Sequence, residues 1–251
     1  MKLFQYWDTD SPPDDVAAWI EGFRAQNPEF KHRLYSRDSA SRFIRKHLGQ
    51  REQKAFDAIA VPSMQSDYFR YCAVETLGGL YLDADYQPGQ PLSGLIAQAP
   101  HALMLKWWGH VVGGALMCRE PGNAFIRACR ELTTDNIENR RFPSAFTAGG
   151  PGVMNAIRLL FEPEAHYEIM ASYDNPNGRH WQAEELHALA RNLVEVTPEL
   201  RAAYASFTVI HCLAAEKWLG TKAPGYKRTP THWTNWSGSI YRDQAQAPLA
   251  V

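Results

Sequence analysis

Two aspartates one residue apart, Asp83 and Asp85, stand where the apolar run Leu80-Tyr81-Leu82 gives way to the turn-prone Gln87-Pro88-Gly89. Side chains alternate along a strand, so Tyr81, Asp83 and Asp85 are expected on one face and Leu80, Leu82 and Ala84 on the other. Two carboxylates projecting together from a strand end offer the oxygen ligands that a hard cation takes. The residues before them read as a helix carrying Ser66, Asp67 and Arg70, stopped by Gly78-Gly79. With two glycines between them, helix and strand must run antiparallel. From Leu77 back to Asp67 is about 15 Å of helix, and from Leu80 forward to Asp85 about 17 Å of strand. Asp67 and Arg70 therefore stand near the level of Asp83 and Asp85. The plainer alternatives are two solvated aspartates in a turn and an i,i+3 ion pair on a helix face.

The elements that must position these groups follow the same alternation. Lys2–Trp7 reads as a first strand, stopped by DTDSPPDD. From Asp14, the run DVAAWIEGFRAQNP puts Val16, Trp19, Ile20 and Phe23 on one helical face, and Pro28 ends it. Phe30–Ser36 is a second strand, followed by a helix to Leu48. A helix from about Met64 leads into the glycine pair. His101–Trp108 and His110–Arg119 form a hairpin across Gly109. Further helices are expected with Pro121 near a first turn, at about Gly152 after Ala148-Gly149-Gly150-Pro151, and in AEELHALARNL; Ser206–Ala214 returns to strand. Strands alternating with helices predict a mainly parallel sheet with helices on its faces.

Composition narrows the function. The 251 residues carry a formal net charge of −1, which leaves no electrostatic footprint for nucleic acid, so a polyanionic ligand must be held locally by a metal or by placed arginines. The four cysteines, Cys72, Cys118, Cys129 and Cys212, lack C-x-x-C spacing and read as reduced thiols rather than a zinc site. The opening MKLFQYWDTDSPPDD lacks the apolar core of a signal peptide, and no stretch approaches a membrane span. A cytoplasmic protein is expected, with peripheral association at the inner face of a membrane as an option.

The pattern SDYFRY…GGLYLDADYQP, with KLFQYWD and PDDVAAWIEGFRAQNPEFKHRLYS ahead of it, resembles the DXD-containing sugar-binding region of glycosyltransferase family 32. The likeness is close over residues 2–92, looser to about 160, and afterwards rests on one His…Trp pair. It implies an α/β fold of the GT-A (Rossmann-like) type; the lack of an internal repeat or linker reads as one domain over 1–251, whose turn-rich, aromatic end, about 220–251, is expected as a tail or lid, with ordinary packing against the domain as the alternative. It also implies a nucleotide-sugar donor (UDP-sugar favoured, GDP-sugar the alternative) and a divalent cation, manganese or magnesium. Transfer would proceed with retention at the anomeric carbon to a saccharide or lipid-linked acceptor, as in polysaccharide or glycoconjugate synthesis. In such enzymes the aspartates matching Asp83 and Asp85 serve the metal–diphosphate and the sugar or ribose, and those matching Asp67 and Arg70 contact the donor sugar and its diphosphate. The chemistry is coherent, because a leaving nucleoside diphosphate needs preorganised positive charge, which a metal and an arginine fork supply.

Five further positions are donor-side candidates on the same resemblance. Gln5 and Trp7 end the strand that runs beside the nucleotide base in such folds. Tyr81 shares the aspartate face, Gly150 precedes Pro151 at a helix start, and Trp218 follows His211 by seven residues. Each has a structural alternative: a core ring for Tyr81 and the tryptophans, a plain helix-start turn for Gly150. A histidine completes the metal or diphosphate site in related folds; His211, at a strand end, is favoured, and His232 in HWTNW is the alternative. The rival functions are a non-catalytic nucleotide-sugar or glycan-binding relative, and an aspartate-dependent phosphohydrolase. The latter expects its motif on the first strand, with Thr or Val after the second aspartate rather than Tyr86.

Overall fold

The computed structural model describes residues 1–107, 109–165, 181–228, 236 and 238–242. Its strands are β1 (Lys2–Tyr6), β2 (Lys31–Tyr35), β3 (Gly79–Leu82), β4 (Ala102–Trp107), β5 (His110–Cys118) and β6 (Phe207–His211). They form one sheet in the order β2-β1-β3-β5-β4-β6. The β1–β2, β1–β3 and β4–β6 pairings are parallel, whereas β5 is antiparallel to both β3 and β4. Among the described residues, five strands thus point one way and β5 is reversed, as the expected hairpin with β4 requires.

Helices cover both faces. α1 (Asp14–Gln26) has Asp14 and Asp15 in its first turn, where the helix dipole favours negative charge. α2 (Arg37–His47) starts in a reciprocal cap between Ser36 and Ser39. α3 (Gln50–Asp57) leads to α4 (Pro62–Leu77), which opens on Pro62 and stops at Gly78 and Gly79. Both glycines have positive φ, 61° and 103°, and in both a Cβ would meet backbone at 2.8 Å, so the tight reversal from helix to strand needs them. Eleven of the sixteen α4 residues are buried, so any charge on this helix must be paired.

The remaining helices among the described residues are α5 (Ser93–Ile96), α6 (Ala124–Glu138), α7 (Ala145–Ala148), α8 (Pro151–Arg158), α9 (Trp181–Leu193), α10 (Pro198–Ala205) and α11 (Cys212–Leu219). One face of the sheet packs Phe4, Tyr81, Met104 and Leu116 against α2, α3, α4, α6, α8, α9 and α10. The other packs Leu3, Leu80, Leu82, Leu103 and Met117 against Phe23 of α1, Leu95 of α5 and Trp218 of α11. Tyr81 and its neighbours Leu80 and Leu82 therefore fall on opposite faces, as alternation predicts.

Local differences from the sequence reading have simple causes. β3 ends at Leu82, and the Tyr86 N–H reaches the Asp83 carbonyl at 3.4 Å, so the two aspartates occupy a turn rather than a strand. α6 begins at Ala124 because Asn123 caps the N–H groups of Phe125 and Ile126; Pro121 lies before it. The run Ser206–Ala214 is strand only to His211, where α11 takes over. α3 and α10, each of eight residues, carry no expectation from the sequence. Near the chain end, Ile240 and Tyr241 are buried, Tyr241 bridges to Ile59, and its hydroxyl donates to the Phe142 carbonyl at 2.8 Å. No helix among the described residues is long and apolar enough to cross a membrane. All four cysteines are free.

Candidate functional site

The site forms where β3 runs out at the carboxyl end of the parallel strands, the usual place for ligands in open α/β sheets. Asp83 is fixed from both sides. Its N–H donates to the Gly114 carbonyl at 2.8 Å, and its own carbonyl accepts from the Gln5 amide at 3.4 Å. Its carboxylate Oδ1 collects three donors: Tyr81 Oη at 3.0 Å, Arg70 Nη2 at 3.3 Å and Ser66 Oγ at 3.5 Å. Ser66 and Tyr81 share a 2.6 Å hydrogen bond, and the Arg70 guanidinium lies 5.0 Å from the Tyr81 ring centroid. The α4 groups and the end of β3 thus meet at one level, as the antiparallel rise requires.

Arg70 is 4 % exposed and its Nη2 stands 2.5 Å from Asp67 Oδ1. Burial opposes charge on both partners, and the short contact favours it on both. For Arg70, burial is outweighed by Asp67 and Asp83, which hold the guanidinium protonated beyond its ordinary range. For Asp67, burial pushes the carboxyl up to about 7, with Arg70 pulling down and Asp83 pushing up. Asp83 is also raised, by burial first, against Arg70 and with Asp85. These are the features of a compact charged cluster held by one buried cation.

Two glycines on β5 make room for it. A Cβ at Gly113 would stand 1.7 Å from Arg70 Nη1, and one at Gly114 2.3 Å from the Tyr86 hydroxyl. Gly150, the residue before α8, closes a further side: a Cβ there would stand 3.1 Å from Asp67 Oδ2, and its carbonyl accepts from Tyr71 at 3.2 Å. Asp85 pairs with Lys227, Nζ to Oδ2 at 3.0 Å. Lys227 lies in a short 3-10 turn, Gly225–Arg228, whose Gly225 N–H donates to Asp15 Oδ2 at 2.9 Å.

Other sequence candidates are placed differently. Gln5 is wholly buried, its amide spanning His32 (2.8 Å) and the Asp83 carbonyl, so it touches the turn and not an open surface. Trp7 is half-buried and packs with Val16, Ile20 and Ala84, beside the aspartates. Tyr81 is wholly buried. Trp218 is 4 % exposed within the core of the opposite face, its indole against Gly94 and the Lys217 ammonium 4.1 Å from the ring. His211 is exposed, caps α11 through Nδ1, and lies 6.0 Å from the Trp107 ring. It sits on β6, three places from β3 in the sheet and so about 14 Å across it. His232 lies outside the described residues.

Among the described residues, no group of three or more His, Cys, Asp or Glu side chains is arranged to hold a metal ion. The residues present still fit a hard divalent cation. Asp83 and Asp85 are oxygen donors, magnesium-type sites use one or two carboxylates completed by substrate phosphates and water, and Asp85 already draws an ammonium.

Gly113, Gly114 and Lys227 also belong to the site. The glycine pair in a nine-residue strand was a usable signal, because glycine inside a strand often marks close backbone approach. Nothing local marks Lys227, which is 142 positions from its partner by the numbering (227 − 85).

Fold and site define a mixed α/β protein whose carboxylate cluster follows a glycine-led strand. Residues 13–102, which include Asp67, Arg70, Asp83 and Asp85, match the family model described as a glycosyltransferase sugar-binding region containing a DXD motif. That match covers about a third of the chain, and over it the chain is similar to that family. It is 25 % identical over 113 residues to the Saccharomyces cerevisiae protein HOC1, which is named as a glycosyltransferase; the match covers 44 % of this chain and 28 % of that protein. A solved structure titled PaToxG Glycosyltransferase is similar with a TM-score of 0.48 at 13 % identity, over 82 % of this chain and 85 % of the other.

Proposed function

We propose that this protein is a metal-dependent, retaining hexosyltransferase that moves a sugar from a nucleotide sugar to a saccharide or lipid-linked acceptor. UDP-sugars are the favoured donors and GDP-sugars the alternative, and the setting is polysaccharide or glycoconjugate synthesis in the cytoplasm or at the inner face of a membrane. The observation that carries the proposal is the Asp83 carboxylate, bound by Arg70, Tyr81 and Ser66 within the matched DXD region and followed two residues later by Asp85.

In this reading Asp83 and Asp85 hold the divalent cation, which supplies Lewis-acid neutralisation of the diphosphate's developing charge. Arg70, being buried, acts chiefly by holding Asp67 and Asp83 in place. Asp67 Oδ2, beside the Gly150 backbone, is the oxygen left to accept sugar hydroxyls. Trp7 and the turn it packs on form the side toward the base.

A thermal-shift screen of UDP- and GDP-sugars, with and without manganese, tests this directly, followed by donor hydrolysis assays. Manganese-dependent stabilisation by one donor series, slow donor hydrolysis, and loss of both in Asp85→Asn with the fold intact are expected. Unchanged kinetics in that variant would sink the metal assignment. Binding without turnover would make the protein a non-catalytic relative, and phosphate release from monoesters would make it a phosphohydrolase.

A further inference from the structure

Lys227 reaches the aspartates from far along the chain. Its ammonium stands 3.0 Å from Asp85 Oδ2. The turn that carries it is anchored on α1. Pro224 is buried, and the Gly225 N–H is held at 2.9 Å by Asp15 Oδ2 in the first turn of α1. Lys227 itself remains about one-third exposed, with room to move. Among the described residues the cluster therefore has two cations of different kinds. Arg70 is buried and locked between Asp67 and Asp83, whereas Lys227 is part-exposed on a turn tethered to Asp15.

A divalent cation bound directly to Asp85 would sit about 2.0–2.6 Å from its oxygen. The ammonium at 3.0 Å would then lie within roughly 5 Å of a doubly charged ion, in a partly buried site where such repulsion is weakly screened. The two cations compete for the same negative charge. The tether keeps the displaced ammonium near the site, and the negative charge that arrives with the metal is the donor's diphosphate. We propose that Lys227 is the exchangeable cation of this site: it pairs with Asp85 before the metal binds, is displaced by the metal, and then donates to the diphosphate of a nucleoside diphosphate. The inference rests on the nucleotide-sugar reading above and adds to it a residue outside the matched region.

The test uses the full chain with Lys227→Ala and Lys227→Arg, each first checked for an unchanged melting temperature. Manganese affinity is measured without nucleotide, by the free-ion resonance signal. The affinity for UDP and GDP is then measured calorimetrically at saturating manganese. In Lys227→Ala, manganese should bind about tenfold tighter and the diphosphate about tenfold weaker, the scale of one charged hydrogen bond. Lys227→Arg should restore diphosphate binding. If either affinity is unchanged in Lys227→Ala while the parent protein binds both ligands, this inference alone falls. If the parent protein binds manganese but neither nucleotide, the donor reading falls with it.

Discussion

Gly113 and Arg70 are in contact so close that a single methyl group on the glycine would stand 1.7 Å from the Nη1 atom of the arginine. The β5 backbone is therefore one wall of the slot that holds the guanidinium between Asp67 and Asp83. This wall comes from a strand distant in sequence, and it explains why a buried strand carries glycine at position 113, where side-chain packing would stabilise it more; Gly114 beside it makes room for Tyr86.

Gly113→Ala should push Arg70 out of its slot. The two carboxylates would then lose their shared cation, so stability should fall by about 1–3 kcal/mol, as for other overpacked sites. Turnover of a nucleotide sugar should fall about a hundredfold or more, because the positioned carboxylates are lost. Chemical denaturation and donor hydrolysis report the two effects separately. Full activity in this variant would show that Arg70 does not need its present position.

Tyr81→Phe removes one hydroxyl that touches both Asp83 (3.0 Å) and Ser66 (2.6 Å) and leaves the buried ring in place. A loss of about 1 kcal/mol is expected, the net worth of one such hydrogen bond. Asp83 should also be less well oriented, weakening manganese binding severalfold. A titration showing the parent affinity would mean that Arg70 and Ser66 suffice to hold Asp83.

His32 gives the protein a defined acid sensitivity. Burial, aided by the neighbouring Arg24, lowers its pKa to about 4, and its Nε2 lies 2.8 Å from the Gln5 amide oxygen, consistent with a neutral ring donating there. The unfolded chain takes up this proton near pH 6.5. Stability from this group is therefore fully present above about pH 6.5, falls as pH drops toward 4, and changes no further below that. The whole effect is on the order of 3 kcal/mol, less whatever solvent screening removes. Melting temperatures of the parent and of His32→Gln at pH 7.5 and 4.5 should show a smaller acid-induced drop in the variant. Parallel drops would place the sensitivity elsewhere.

Arg130 is a structural counterpart to Arg70. It binds Glu75 at 2.5 Å and Glu52 at 3.1 Å, and all three side chains are at most about one-tenth exposed. Arg130→Met should cost about 3–5 kcal/mol, because it leaves buried carboxylates short of a partner, although Arg127 at 3.4 Å still reaches Glu75. Adding Glu75→Gln should recover part of that loss in urea denaturation. An additive second loss would argue against unpaired charge as the cause.

The near wall of the site was legible in the sequence because its geometry is local. α4 and β3 are joined by two glycines, and the fixed rise of helix and strand brings Ser66 and Arg70 level with Asp83 whatever the rest of the chain does. The same holds for the opposite faces of Leu80, Tyr81 and Leu82, which depend on alternation alone. Sheet order, by contrast, is a long-range choice. Placing β5 between β3 and β4 brought Gly113 to Arg70 and Gly114 to Tyr86, and put β6, with His211, three strands away from the aspartates. Tertiary packing likewise turned Trp218 into the opposite core and carried Lys227 to Asp85. Periodicity and spacing determine which groups a short helix–turn–strand unit presents together. Only burial across the whole sheet decides which distant backbone leaves room for them and which distant charge answers them.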